Sequence, residues 1–114
     1  MNFLEGRIDG QTFVSKEDTI RIPLEKTRQS GPIVAGVRPE DISIARDGEA
    51  ATTLTLDLVE PVGNEIFLHG RADNELIVAR VPPQQVPAAG QPVRFSFHPD
   101  HLHFFDPESG ERKD

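Results

Sequence analysis

The chain reads as an all-β protein, a small antiparallel β-barrel or sandwich with an N-terminal β-hairpin unit. Three observations predict this. Apolar and polar residues alternate in short stretches along the whole sequence, and no stretch sustains a helical period. The ten Pro and nine Gly are spread along the chain instead of being gathered in a linker, so they punctuate many short strands. The length, 114 residues, suits a single domain over 1–114 with one modest core, and a Greek-key barrel fits that size.

The elements follow in order. Phe3 to Ile8 alternates, with Leu4, Gly6 and Ile8 on one side. Asp9-Gly10 is a tight-turn signal, and Gln11 to Val14 is the return strand of a hairpin. Thr19 to Leu24 alternates with Ile20, Ile22 and Leu24 facing one way, and a polar loop runs from Glu25 to Pro32. Ile33 to Arg38 is an apolar strand that stops at Pro39, which lacks an N–H for the ladder and keeps the residue before it extended. Pro39 therefore opens a turn or a single helical turn, with Glu40 and Asp41 where exposed N–H groups favour negative charge.

Beyond this corner, Ile42 and Ile44 alternate and Arg46 to Glu49 turns. In the strand Thr53 to Val59, Leu54, Leu56 and Leu58 are expected inward, and Pro61 and Gly63-Asn64 are expected to bend it. Glu65 to Arg71 is a strand, Ala72-Asp73-Asn74 a turn, and Glu75 to Val81 another strand. Gln84-Gln85-Val86 is expected to form one helical turn between Pro82-Pro83 and Pro87-Ala88-Ala89-Gly90. Val93, Phe95 and Phe97 share a strand, with Ser96 expected outward. His98-Pro99-Asp100 turns into a last strand, Leu102 to Phe105, and Asp106 to Gly110 forms a final turn.

Composition narrows the function. Hydrophobic residues make up 36%, which implies a thin core and apolar surface left for a partner. No cysteine is present, so neither a disulfide nor a thiol nucleophile is available. The net charge of −7 is carried by both halves, and neither has the basic face that phosphate backbones require, so nucleic acid is not expected as a partner. No apolar run reaches the ~18 residues of a spanning helix. No glycine precedes a lysine and no G-x-G-x-x-G occurs, which excludes nucleotide hydrolysis by this chain alone.

Catalytic and metal chemistry find little support. His98, Asp100, His101 and His103 cluster, and two imidazoles with a carboxylate would suit zinc. Their spacing matches no zinc signature, and a further ligand would have to come from Asp106 or His69. They are read as solvated or hydrogen-bonded residues, with no metal expected. None of Ser15, Ser30, Ser43, Ser96 and Ser109 has the strained setting of a nucleophile. The adjacent carboxylates Glu40-Asp41 and Glu17-Asp18 suit exposed corners better than a cleft. No catalytic residue is expected. Arg38 is expected to brace the corner against Glu40 or Asp41, and Glu60 and Glu65 to serve the second corner in the same way.

Four stretches, taken together, resemble one family. Gly36 to Ile42 resembles the G-[IV]-R-P-E-[HD]-[LI] motif in the C-terminal regulatory, transport-associated OB-type domain of sugar-importing ABC ATPase subunits, a group that includes maltose-type and glycerol-3-phosphate-type importers. Val59 to His69 is similar to its V-E-x-[LM]-G-x-E-x-x-[LV]-H segment, and His103 to Gly110 to its closing H-L-F-D-x-x-[ST]-G. Met1 to Gly6 looks like the junction with the nucleotide-binding domain. Phe104 replaces the family's leucine, and Pro61 fills a variable position. The ATPase half is missing, so the chain is either an excised fragment or a stand-alone version.

The resemblance implies an OB-fold-like small antiparallel β-barrel that serves as a non-catalytic cytoplasmic module, peripheral to the inner membrane. Two copies, one from each ATPase subunit, would meet across a two-fold axis as a homodimer while the ATPase domains in cis open and close. Permease subunits, and in some relatives a regulatory protein, would complete the assembly. No cofactor is expected in this chain, because ATP and Mg would bind the missing domain. The residues carried over as structural or interface candidates are Arg38, Pro39, Glu40, Glu60, Gly63, Glu65, His69 and Phe105. An alternative from another class is a small-ligand sensor for an oxyanion or sugar phosphate, with the Gly63-Asn64 turn as one source of N–H groups.

Overall fold

The computed structural model describes residues 1–113. Its ten strands form two five-stranded antiparallel sheets. The strands are β1 (Asn2–Asp9), β2 (Thr12–Ser15), β3 (Arg21–Pro23), β4 (Gly31–Val37), β5 (Ile42–Ile44), β6 (Thr52–Val62), β7 (Glu65–Ala72), β8 (Glu75–Val81), β9 (Pro92–Phe97) and β10 (His103–Phe105). The first sheet has the order β10-β4-β1-β2-β3 and the second β5-β9-β6-β7-β8. Edge strands β5 and β8 of the second sheet lie close together, so that sheet curls toward a barrel. The expected all-β class and N-terminal hairpin are present.

The Pro39 corner separates the sheets. A 3-10 helix, Pro39–Asp41, turns the chain from β4 into β5, with Arg38 extended before it. A second, Pro99–His101, turns β9 back toward β10. The last strand thus returns to the first sheet and pairs with β4 through His103–Gly36, Phe104–Ala35 and Phe105–Val34. This crossing encloses one apolar cluster fed by both sheets, including Leu4, Phe13 and Ile22 from one and Leu54, Leu68 and Phe95 from the other. Burial of such side chains supplies the main drive for folding, roughly 1.5–3 kcal/mol each before entropy is counted.

Four expectations need correction. Leu58 points outward and is 45% exposed. Its strand runs in register through Leu56–Gly70 but resumes at Leu58–His69, leaving Asp57 as a bulge. One extra residue reverses the alternation, so Val59 turns inward in place of Leu58. Pro61 does not bend the strand, since β6 continues through it and Pro61 pairs with Ile66. The chain reverses at Gly63-Asn64, where Gly63 has φ +59°, the left-handed value that a two-residue hairpin turn with glycine first requires. Gln84–Val86 forms no helical turn, and the stretch is irregular. Ser96 does lie on the face opposite Phe95 and Phe97, but it is buried. It opposes Ser43 on β5, in a strand that runs between β5 and β6.

Candidate interaction surface and the corner that braces it

The resembling stretches, far apart in sequence, converge in space. Gly36 lies between β1 and β10, opposite Phe3 and His103. A Cβ built there would sit 2.7 Å from the Met1 sulfur and 2.9 Å from the Phe105 ring, so any side chain would displace them. Phe105 meets Phe3 edge-on, with ring centroids 5.8 Å apart, an arrangement favoured by the ring quadrupoles. The first residue of the corner stretch is therefore glycine because the closing stretch packs over it.

The second connection is ionic. Arg80 of β8 approaches Glu65 (Nε–Oε2 3.2 Å) and Glu40 (Nη2–Oε1 3.7 Å), tying the start of β7 to the 3-10 corner. These side chains are more than a third exposed, so the network orients the corner but stabilises it by at most about 1 kcal/mol. Arg38 is exposed and pairs with neither Glu40 nor Asp41 among the described residues; Arg80, which sequence reasoning passed over, holds Glu40 instead. The corner's other acid, Asp41, accepts from His101 (Nδ1–Oδ1 2.7 Å) and joins the two 3-10 turns side by side. That hydrogen bond, with the charges of Asp41 and Asp100, raises the His101 pKa above its usual 6.5. Arg38, Glu40, Asp41, Asp100, His101 and His103 together line a shallow cleft.

Two further clasps hold the sheets together, and neither had a sequence signal. The Asn2 carboxamide lies along the free edge of β8: its Oδ1 accepts from the Val78 N–H and its Nδ2 donates to the Val78 carbonyl, both at 2.9 Å. At the opposite end, the Asp73 carboxylate accepts from the Glu17 N–H at 3.2 Å. Partial burial acts to raise the Asp73 pKa, but the Thr19 and Ser15 hydroxyls and the Glu17 and Thr19 amides outweigh it and hold the group below 3.8.

On the outer face of β6–β8, Leu58, Val62 and Leu76 are 45%, 53% and 44% exposed. Register places Leu58, His69 and Val78 in one row and Glu60, Phe67 and Arg80 in the next. Glu60 and His69 meet at 2.9 Å (Oε1–Nε2) in the middle of this face. Exposed apolar side chains around a central polar pair suit protein contact. No group of three or more His, Asp or Glu among the described residues is arranged to hold a metal ion. His103 contacts Arg112, a donor that competes with metal for its ring nitrogen.

This geometry coincides with two family profiles. One, described as "MalK OB fold domain", matches residues 1–42, and the other, described as "TOBE domain", matches residues 35–105. The chain belongs to the TOBE-domain family. The two matches overlap on β4 and the Pro39 corner, where the fold passes from the first sheet to the second. Similar curated proteins include the sn-glycerol-3-phosphate import ATP-binding protein UgpC of Paraburkholderia xenovorans (strain LB400), 36% identical over 121 aligned residues. The proteins of the same name from Escherichia coli O157:H7 and strain K12 are 30% and 29% identical over 116. Each alignment covers 98% of this chain and 33% of the relative, so the chain spans a third of their length. No helix among the described residues is long and apolar enough to cross a membrane.

Proposed function

We propose that this TOBE domain is the regulatory and dimerisation module of an ATP-binding subunit of an ABC importer for a sugar, polyol or glycerol phosphate. The family match supports the setting, and the outer face of β6–β8 supports the role. Three large apolar side chains, Leu58, Val62 and Leu76, are open to solvent on that one face. A two-fold contact buries such a face against itself, and the Glu60–His69 pair and Arg80 lie within it to fix register. The module takes no chemical step. It keeps two subunits together while ATPase domains in cis bind ATP and Mg, separate and close, and the permease subunits carry the solute across the inner membrane from which the assembly hangs on its cytoplasmic side. A regulatory protein acts by binding the module and biasing that cycle.

Sedimentation equilibrium tests the role. The chain should self-associate reversibly, and Leu58→Lys with Val62→Lys should leave a folded monomer. A wild-type chain that remains monomeric at millimolar concentration, or a double variant that associates as wild type does, contradicts the proposal.

A further inference from the structure

Away from the residues of the β6–β8 face, the loop between β3 and β4 and the C-terminal segment line a cleft of about 530 Å³. That volume suits a small molecule. Its charge runs against the rest of the chain. Among the described residues, Lys26, Arg28 and Lys113 line it with one carboxylate, Asp106, whereas the whole chain carries 19 acidic and 12 basic residues. Asp106 is already engaged: it accepts from the Glu108 and Ser109 N–H groups at 2.9 Å, which hold its pKa below 3.8, and it lies 3.8 Å from the Lys113 ammonium.

Arg28 is held in place before any ligand arrives. Its guanidinium lies 4.3 Å from the Phe104 ring centre and donates to the Lys113 carbonyl at 2.7 Å, while its backbone N–H bonds Gly10. A guanidinium fixed in this way loses little entropy on taking a second acceptor. Lys26 forms no ion pair among the described residues. Thr27 and Ser30 add hydroxyls to the cleft, and Ile8 and Ile33 add apolar surface against which a short carbon chain can pack.

We infer that this cleft is an anion site for a phosphate group, borne by a small phosphate monoester or by free phosphate. Arg28 supplies directed N–H donors, and Lys26 and Lys113 supply compact positive charge. The inference rests on the importer reading only for the choice of ligand, since the relatives' names specify a phosphate monoester. The site would let the domain read the cytoplasmic level of imported solute or of the phosphate released from it.

The test is a titration followed by amide chemical shifts at constant ionic strength, with sn-glycerol 3-phosphate, inorganic phosphate, glycerol and chloride as separate arms. The amides of 26–31 should move with both phosphate compounds, saturating in the millimolar range, and should not move with glycerol or chloride. Tighter binding of the monoester would assign the source to solute, and equal binding to phosphate alone. Lys26→Gln with Lys113→Gln, both exposed and outside the core, should weaken binding about tenfold or more. Absence of these shifts, equal shifts with chloride, or unchanged affinity in a variant of wild-type melting temperature overturns the site. Because the β6–β8 face is not involved, sedimentation of the same samples reports separately on dimerisation.

Discussion

At the residue scale, two charged groups tie the fold to pH in opposite directions. Asp73 clasps the β2–β3 turn from the β7–β8 hairpin, and its pKa is lowered from 3.8. Its stabilisation is therefore fully present above that value and fades as pH falls through the lower folded value. Asp73→Asn should cost about 1 kcal/mol at pH 7 in a denaturant melt, and the difference from wild type should narrow toward pH 2. A gap that is constant across that range would mean the charge does not matter. His101 behaves in the reverse sense. Its pKa is raised from 6.5 by Asp41, so its contribution is complete below 6.5 and fades as pH rises through the raised value. His101→Gln should lower the melting temperature at pH 5.5 and have little effect at pH 9; equal effects at both would remove the ion-pair explanation. Gly36 makes a third case. Gly36→Val drives a side chain into Met1 and Phe105, and the melt should lose about 1–3 kcal/mol, as in other overpacked sites.

At the element scale, the strands were legible because their apolar residues alternate, and the turns because Gly, Pro, Asn and Asp mark them. The failures share a cause. A bulge has no compositional signature, so Leu54, Leu56 and Leu58 read as one face until register shows Asp57 inserted between the last two. The inward place of Val59 and the outward place of Leu58 follow, and with them the apolar face of β6–β8. A paired set of substitutions checks this: Leu56→Ala should cost about 2–5 kcal/mol and Leu58→Ala less than about 0.5. Similar costs for both would put Leu58 back in the core. Pro61 misled for another reason: proline signals a break, but β9 pairs with β6 only through Thr52–Thr55, so Pro61 lies where one edge of its strand carries no ladder. The candidate surface was legible only in part. Glu40, Glu60, Glu65, His69 and Phe105 stood out through motif resemblance, yet Arg80 and Phe3, which meet Glu40, Glu65 and Phe105, come from strands that only tertiary pairing brings alongside. The clasps of Asn2 on Val78 and of Asp73 on Glu17 each join residues more than fifty positions apart in sequence.

At the scale of the whole molecule, two antiparallel sheets share one core, with the return of β10 to β4 and the side-chain clasps of Asn2 and Asp73 joining them. Such a body suits the proposed role, in which the domain would hold two subunits in register during a motion elsewhere. The proposed surfaces are separate: the apolar β6–β8 face for a second copy, and the cationic cleft beside the C-terminal segment for a phosphate group. Binding at the cleft can thus modulate the assembly without competing for its interface.

The most direct test of the two-fold contact exploits the absence of cysteine from the chain. A single cysteine replacing Leu58 should be drawn next to its copy and oxidise readily to a covalent dimer, whereas Glu5→Cys on the outer face of the first sheet should not. Rapid cross-linking at 58 with little at 5 is the expected result. Cross-linking at equal rates, or at 5 alone, would show that the β6–β8 face is not where two copies meet.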